Sequence, residues 1–236
     1  MQASVTPFKH HSTKIVGSIS TWDDWKSYQG QDLITQCDWV ELRLDAMYPE
    51  HSLSEIIACA PKMPLLVTMR AAQEGGFSNI SEEERLQLLE ESLPYAKAID
   101  IEIASLHKAG KLITKAKEAG VLVIASSHDF NLTPGPDYFL SLIKKAQVAG
   151  ADMAKFAFTL IIPEDIQNGV EVLRKSDLPV ALMGMGALGP ISRLLYSQIG
   201  STLIYGYLGS RPSAPGQWKV ADFKTDLAKL PDIQLL

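Results

Sequence analysis

The hydrophobic residues of this chain cluster in eight short runs, separated by longer stretches of mixed polarity. The runs begin near Lys14, Asp38, Pro64, Ala98, Val121, Asp152, Pro179 and Thr202. Each run has the length and β-branched content of a buried strand, and each intervening stretch is long enough for one helix. Strands that alternate with helices pair in parallel. The pattern therefore predicts an α/β protein with eight parallel strands.

Several of the intervening stretches carry helix signals. Ser52 with Glu55, and Ser81 with Glu84, have the spacing of capping boxes, in which a hydroxyl and a carboxylate each bind a free amide of the first turn. Residues 81–96 then place leucines at helical spacing. Glycines stand where helices or their connections end, at Gly110, Gly120 and Gly150.

Eight strand–helix units favour closure into a (β/α)₈ TIM barrel, a fold that typically needs about 250 residues. The chain has 236 residues, and no linker, low-complexity segment or close repeat interrupts it. We therefore predict one barrel domain over residues 1–236. An open, doubly wound sheet is the alternative, but it would require a glycine-rich phosphate loop after the first strand. The first run, KIVGSIST from Lys14, has no such motif.

Composition and charge exclude several classes of protein. The net charge of −5 offers no basic footprint for nucleic acid. The N-terminal residues lack the apolar segment of a secretory signal, and no apolar run reaches the roughly 18 residues of a membrane span. We expect a cytoplasmic protein. Cys37 and Cys59 do not have the spacing of a disulfide framework or a metal site, so both are predicted to be buried apolar residues.

Polar residues interrupt the predicted strands at their C-terminal ends, where barrel enzymes carry their active sites. Glu41 and Arg43 lie two apart in the second strand and so share one face. Arg70 ends the third strand, Glu74 follows it in a glycine-containing stretch, and His128 ends the fifth. A solvated strand end, an ordinary loop or a structural histidine would explain each of these separately. The remaining histidines are predicted to be surface residues: His10, His11, His51 and His107.

Lys155 is the most informative residue because it lies inside an apolar strand, Met153–Phe158. Lysine is rarely fully buried unless it is paired. Desolvation disfavours the ammonium form, and a pKa brought to about 7 to 8 leaves a free amine that can attack a carbonyl. A salt bridge with an acidic residue is the alternative interpretation.

Two further features lie near the C-terminal end of the chain. Arg193 is predicted at the start of the seventh helix, where a cation and a helix N-terminus both favour an anion. Residues 209–217 form a long loop rich in Gly, Pro and Ser after the eighth strand. This is the place of an active-site lid.

Taken in order, these segments resemble type I 3-dehydroquinate dehydratase, a TIM-barrel lyase of the shikimate pathway to aromatic amino acids. The resemblance extends from Lys14 to about Phe223. It rests on the segments Glu41–Asp45, Thr68–Arg70, Glu74–Gly76, Ser127–Phe130, Ala154–Lys155, Ile191–Arg193 and Ser213–Gln217. It implies that 3-dehydroquinate is converted to 3-dehydroshikimate and water by syn elimination through a Schiff base.

The resemblance also implies a role for each site residue. Lys155 would form the imine with the C3 ketone, His128 would act as acid and base at C2 and C1, and Glu74 would orient His128. Substrate would be bound by Ser18, Glu41, Arg43, Arg70, Arg193, Ser213 and Gln217, with Arg193 on the carboxylate. The apolar wall would be Met183, Met185 and Phe130. Departures from the family pattern, which would affect substrate fit or loop stiffness, are Leu42, Gly184 and Gly186.

The chemistry needs no metal or cofactor, and none is predicted. Imidazole is too weak a base for a proton beside a ketone, but a cationic imine is an electron sink that stabilises the resulting carbanion. The expected ligand is the small-molecule substrate, and a homodimer is the candidate assembly. A class I Schiff-base aldolase is one alternative, although it would usually carry a phosphate site near strands 7 and 8. A barrel that binds a ligand without catalysis is the other.

Overall fold

The computed structural model describes residues 13–230, and the eight predicted strands all form. The strands are β1 (Lys14–Ile19), β2 (Trp39–Arg43), β3 (Leu65–Thr68), β4 (Ala98–Glu102), β5 (Leu122–Asp129), β6 (Met153–Thr159), β7 (Val180–Met185) and β8 (Leu203–Tyr207). The helices are α1 (Trp22–Ser27), α2 (Leu53–Ala58), α3 (Glu82–Ser92), α4 (Gly110–Glu118), α5 (Pro136–Ala149), α6 (Glu164–Lys175), α7 (Gly189–Gln198) and α8 (Val220–Leu227). Short 3₁₀ turns occur at Leu44–Ala46, Ala72–Glu74, Leu93–Tyr95 and Ile103–Ser105. The predicted TIM barrel is confirmed.

The strands pair in parallel, each with the next along the chain from β1 to β7, and β1 also pairs with β8. Among the described residues, β7 and β8 form no ladder with each other. They are linked instead by a hydrogen bond from Thr202 N to Val180 O, 2.9 Å long. We refer to this junction, between Val180–Met185 and Leu203–Tyr207, as the β7–β8 seam.

Alternation along the strands separates an inner core from an outer one. The inner core fills the barrel and includes Val16, Leu66, Ile124, Met153 and Tyr205. The outer core lies between the strands and the helices. Leu42 belongs to the outer core because it alternates with Glu41 and Arg43. The expectation that Leu42 affects substrate fit is therefore wrong, since its side chain faces the helices.

The predicted helix signals hold with one correction. Ser52 and Glu55 form the full capping box. Ser81 Oγ accepts from Glu84 N, but the Glu84 carboxylate accepts instead from the hydroxyl of Tyr48 at 2.8 Å. The second capping box is therefore only half formed. Gly120 and Gly150 adopt the left-handed conformation where α4 and α5 end. Gly110 is the first residue of α4, so it lies where the preceding connection ends.

Both described cysteines are free, but only Cys37 is buried, and burial raises the pKa of its thiol to about 11. Cys59 is half-buried, so its predicted burial was too strong. His107 is exposed and His51 stacks on a tryptophan ring, while His10 and His11 lie outside the described residues. Within residues 13–230, no helix combines the length and the apolar character needed to cross a bilayer.

Candidate active site

The C-terminal ends of the strands surround a pocket of about 500 Å³, its open mouth included. All predicted site residues except Ser18 line it: Glu41, Arg43, Arg70, Glu74, His128, Phe130, Lys155, Met183, Met185, Arg193, Ser213 and Gln217. Ser18 lies beside the pocket, where its hydroxyl donates to Glu41 Oε2 at 2.6 Å. The barrel therefore brings together residues that are far apart in the sequence.

Lys155 is 4% exposed, and its ammonium contacts two carboxylates. Its Nζ lies 2.9 Å from Asp100 Oδ2 and 3.4 Å from Glu41 Oε1, and 4.4 Å from the centre of the Tyr205 ring. The salt bridge that the sequence left as an alternative is thus present. It fixes the direction of a lysine that also faces the pocket.

Asp100 and Glu102 are functional residues that the sequence reasoning missed. Arg70 donates to both carboxylates at 2.9 Å, and its Nη1 also donates to Ser126 Oγ at 2.7 Å. Burial alone would raise the pKa of Asp100, but the charges of Arg70 and Lys155 hold it well below its usual value. Asp100 is therefore an anion that positions Lys155. Asp100 and Glu102 are two apart in an apolar strand, which is the signal that identified Glu41 and Arg43.

Glu41 is held as an anion deep in the pocket. Its carboxylate accepts from Ser18 Oγ and, at 2.9 Å, from Thr68 Oγ1. Burial raises the pKa of Glu41, but Lys155 and Arg43 outweigh it, so the pKa lies below its usual value. A second acid for the lysine is thus in place on the opposite strand.

His128 is oriented by Glu74, as predicted from the resemblance. Its Nδ1 lies 2.9 Å from Glu74 Oε2, and its backbone N–H donates to the same oxygen at 3.0 Å. Burial, together with Arg70 and Lys155, lowers the pKa of His128 well below its usual value. Because Glu74 Oε2 acts as an acceptor, we assign the proton of the neutral ring to Nδ1. The unprotonated nitrogen is then Nε2. The neighbouring carboxylate, Asp129, accepts from the loop amides of Asn131 and Leu132.

Glu74 lies in a short 3₁₀ turn that its own neighbours shape. Gly75 follows in the left-handed region at φ +82°, and a Cβ on it would lie 2.6 Å from Phe130 Cζ. Burial raises the pKa of Glu74 to about 7, against the lowering influence of Arg70. Only a glycine lets Phe130, which is 42% exposed, close against this turn at the pocket rim.

Arg43 is bound on the other side of this turn. It makes a two-pronged ion pair with Asp45, with Nε–Oδ1 and Nη2–Oδ2 distances of 3.0 and 2.8 Å. Its guanidinium also lies 5.0 Å from the centre of the Phe77 ring. Arg43 therefore presents to the pocket a cation whose charge is largely neutralised.

Arg193 differs from the other pocket cations because no described carboxylate pairs with it. It is 3% exposed, and it donates to two backbone carbonyls, from Nε to Gly184 O at 3.1 Å and from Nη1 to Tyr205 O at 2.7 Å. These bonds bridge the β7–β8 seam. Burial lowers the pKa of Arg193 to about 10. Arg193 lies one turn into α7 rather than at its start, and its buried charge is suited to an anion in the pocket.

The loop over residues 209–217 reaches from the rim into the pocket. Ser213 Oγ donates to Gln217 Oε1 at 3.0 Å and lies 3.2 Å from Ser18 Oγ. At its other end, Ser210 donates from N and Oγ to Asp24 Oδ2 at 3.0 and 2.8 Å. Asp24, in α1, is a loop anchor that the sequence did not reveal. That this loop serves as an active-site lid stays a prediction.

The apolar wall is formed by Met183 and Met185 on β7, both buried. Between them lies Gly184, where a Cβ would come within 2.4 Å of Ser192 Oγ. Gly184 is thus required for α7 to pack on β7. Its departure from the family pattern reflects helix packing, as well as access of Arg193 to its carbonyl.

Chemically, the pocket offers an amine beside two carboxylates, a neutral imidazole with a free nitrogen, and a buried cation that has no acidic partner within residues 13–230. This set is suited to covalent attack on a carbonyl, proton transfer, and recognition of a carboxylate. No group of His, Cys, Asp and Glu within residues 13–230 is arranged to hold a metal ion.

Comparison with known proteins gives a family model and sequence relatives that agree with each other. Residues 27–230 match the sequence model of a family described as type I 3-dehydroquinase. The 3-dehydroquinate dehydratase of Methanocella arvoryzae is 35% identical over 208 residues, which cover 88% of this chain and 92% of that protein. That of Methanocaldococcus jannaschii is 35% identical over 199 residues, covering 79% and 89% respectively.

Solved structures agree with the sequence relatives. The crystal structure of 3-dehydroquinate dehydratase from Geobacillus kaustophilus superimposes with a TM-score of 0.82 at 27% identity, covering 94% of this chain and 92% of that one. The type I enzyme from Clostridium difficile, solved with covalently modified comenic acid, gives a TM-score of 0.81 at 26% identity, with coverage of 94% and 93%.

Proposed function

The chain belongs to the type I 3-dehydroquinase family, and on that premise we propose that it dehydrates 3-dehydroquinate through a Schiff base on Lys155, with His128 as general acid and base. Its activity is that of a 3-dehydroquinate dehydratase of the shikimate pathway. The observation that supports the proposed mechanism is that one pocket contains Lys155, a neutral His128 and Arg193, a cation with which no described carboxylate pairs.

The covalent step begins with the amine of Lys155. Attack requires Nζ to give up a proton, and Asp100 and Glu41 are the carboxylates in contact with it. Nζ adds to the C3 carbonyl, the oxygen takes up a proton, and loss of water leaves a cationic imine. This imine accepts the electron pair of the C2–H bond when the proton is removed, which makes the proton acidic enough for an imidazole.

His128 then carries both proton transfers. Nε2 takes the C2 proton, the resulting enamine expels the C1 hydroxyl, and the imidazolium returns a proton so that water departs. One imidazole can serve only one face of the ring, so the elimination is syn. Its lowered pKa keeps His128 in the basic form that starts the sequence. Hydrolysis of the product imine regenerates Lys155.

The remaining pocket residues are assigned to substrate binding. Arg193 pairs with the ring carboxylate because its charge lacks an acidic partner in the described structure. Arg43 and Glu41 face the ring hydroxyls. Arg70 is assigned with them, although its contacts to Asp100, Glu102 and Ser126 give it a second function in holding the anion beside Lys155. Ser213 and Gln217 close from the loop, and Ser18 supports Glu41 and Ser213.

The test is borohydride reduction in the presence of 3-dehydroquinate, followed by peptide mapping. With borohydride present, we expect one adduct, on Lys155. Without borohydride, we expect the enzyme to form 3-dehydroshikimate. Lys155→Met should lose both the adduct and turnover. Lys108→Met is the matched control, since Lys108 is an exposed lysine in a surface ion pair. An adduct on another residue, or turnover by Lys155→Met, would contradict the mechanism. Absence of 3-dehydroshikimate with the unmodified protein would contradict the assigned activity.

A further inference from the structure

Tyr205, on β8, has a hydroxyl with no hydrogen-bond partner among the described residues. The residue is 3% exposed, and its ring lines the pocket from the inner core. Buried polar groups are nearly always hydrogen-bonded, because an unmade bond forfeits the solvation of the group. A phenylalanine would fill the same space without that cost. The hydroxyl therefore points to a partner that is not part of the folded chain.

The surroundings of Tyr205 indicate where that partner arrives. Lys155 Nζ lies over the ring at 4.4 Å from its centre, and Arg193 Nη1 donates to the Tyr205 carbonyl. The ring of Tyr205 thus lies against the proposed nucleophile, and its backbone carbonyl accepts from the side chain of the proposed carboxylate site. Burial, with the charges of Glu41 and Asp100, raises the pKa of Tyr205 well above its usual value. The phenol therefore keeps its proton and serves as a donor.

We infer that the Tyr205 hydroxyl donates a hydrogen bond to the oxygen of the carbonyl that Lys155 attacks, which makes it a further substrate-binding residue that favours imine formation. The inference rests on the proposed Schiff-base function. The hydroxyl is closed to solvent while Lys155 is paired with Asp100. The covalent mechanism moves Nζ from Asp100 toward the substrate carbon, and this is the movement that lets an oxygen approach the ring.

The hydrogen bond acts during one part of the reaction. When Nζ adds, the C=O bond becomes C–O, negative charge develops on the oxygen, and a donor in a water-poor site stabilises it. The oxygen then takes up two protons, one of them from Nζ, and leaves as water, while the nitrogen stays bonded to C3 as a protonated imine. After that, C3 carries no oxygen, and Tyr205 has nothing to bind until water adds to the product imine. Tyr205 should therefore affect imine formation and not the later elimination.

The variant that tests this is Tyr205→Phe, which removes one atom. We expect imine formation and kcat/KM to fall about tenfold, the size expected for one lost hydrogen bond to a polar substrate atom. The denaturation midpoint of the empty enzyme should stay the same or rise, since no protein bond is lost. Tyr196→Phe is the matched control: that tyrosine is also buried, but its hydroxyl donates to Ile166 O at 3.2 Å outside the pocket. Its denaturation midpoint should fall while kcat/KM stays unchanged.

A His128→Ala background isolates the imine step, because the acid and base of the elimination are then missing. Rapid mixing with 3-dehydroquinate and borohydride quench gives the rate of adduct formation in His128→Ala and in His128→Ala/Tyr205→Phe. A rate about tenfold lower in the double variant supports the inference. An equal rate, or a lower denaturation midpoint in Tyr205→Phe, overturns it while the Schiff-base proposal stands. If the unmodified enzyme forms no adduct at all, the Schiff-base proposal itself fails, and this inference with it.

Discussion

Replacement of Arg193 by methionine is the most direct test of how the pocket recognises its substrate. Methionine keeps an unbranched, flexible side chain and removes the guanidinium and its charge. Arg193 is buried, and its two described bonds go to backbone carbonyls that do not neutralise it. An arriving carboxylate would therefore be the first anion to pair with this guanidinium.

The size of the effect follows from the lowered pKa. Burial brings the pKa of Arg193 to about 10, which corresponds to about 3 kcal/mol of solvation that the protein does not replace. A bound carboxylate recovers an interaction of that order, so Arg193→Met should raise KM by roughly 100-fold. The carboxylate does not take part in bond changes and is bound equally before and during the reaction. The change in kcat should therefore be smaller.

The assay is steady-state kinetics with 3-dehydroquinate, together with denaturant unfolding of the empty enzyme. Loss of two charge-assisted hydrogen bonds and relief of the buried charge oppose each other, so the free energy of unfolding should change by less than about 2 kcal/mol. Arg174→Met is the control, because Arg174 is an exposed arginine of α6 that does not line the pocket. A KM for Arg193→Met within threefold of that of the unmodified enzyme would refute the reasoning.

Four further outcomes are expected. His128→Ala should form the imine on Lys155 but yield no 3-dehydroshikimate. Glu74→Gln should lose less activity, because it disturbs only the orientation of the imidazole ring. Intact mass after borohydride reduction and the absorbance of the product distinguish the two variants. Since burial raises the pKa of Glu74 to about 7, its neutral form contributes stability that is complete below about pH 4.3, the unfolded value, and is lost as pH rises through 7. Glu74→Gln should therefore raise the denaturation midpoint more under alkaline than under acidic conditions, and a gain confined to acidic conditions would show the sign to be wrong. Asp24→Ala should release the loop at Ser210, raising KM severalfold and increasing loop hydrogen exchange, while equal exchange would count against the anchor. Activity should persist in excess EDTA, and a loss that Zn²⁺ or Mg²⁺ restores would disprove the metal-free mechanism.

The fold was predictable because parallel strands buried on both faces leave apolar runs that local sequence records. The same reasoning located Lys155, whose charge contrasts with its apolar neighbours on β6. It also located Glu41 and Arg43, since two-residue spacing places them on one face of β2. Each of these signals lies within a few residues of chain.

The parts that were missed depend on contacts between distant segments. Asp24 carries no local signal, because its partner Ser210 lies 186 positions away. Asp100 showed the right spacing in β4, but only the barrel shows that its carboxylate touches Lys155. The sequence presents Tyr205 as an ordinary aromatic residue of the core. Only the structure shows that its hydroxyl has no hydrogen-bond partner among the described residues. Local pattern thus identifies candidates, while pairing decides what each does.

At the β7–β8 seam, the barrel has two adjoining strand edges that no β-ladder joins among the described residues. Arg193 links these edges, because its guanidinium donates to the carbonyl of Gly184 on β7 and to that of Tyr205 on β8. The side chain proposed to bind the substrate's carboxylate therefore also links β7 and β8 beside the pocket. Redesign of this pocket for a different acid should keep Arg193 and begin from wall residues whose side chains do not bridge the seam, such as Met183 or Ala214.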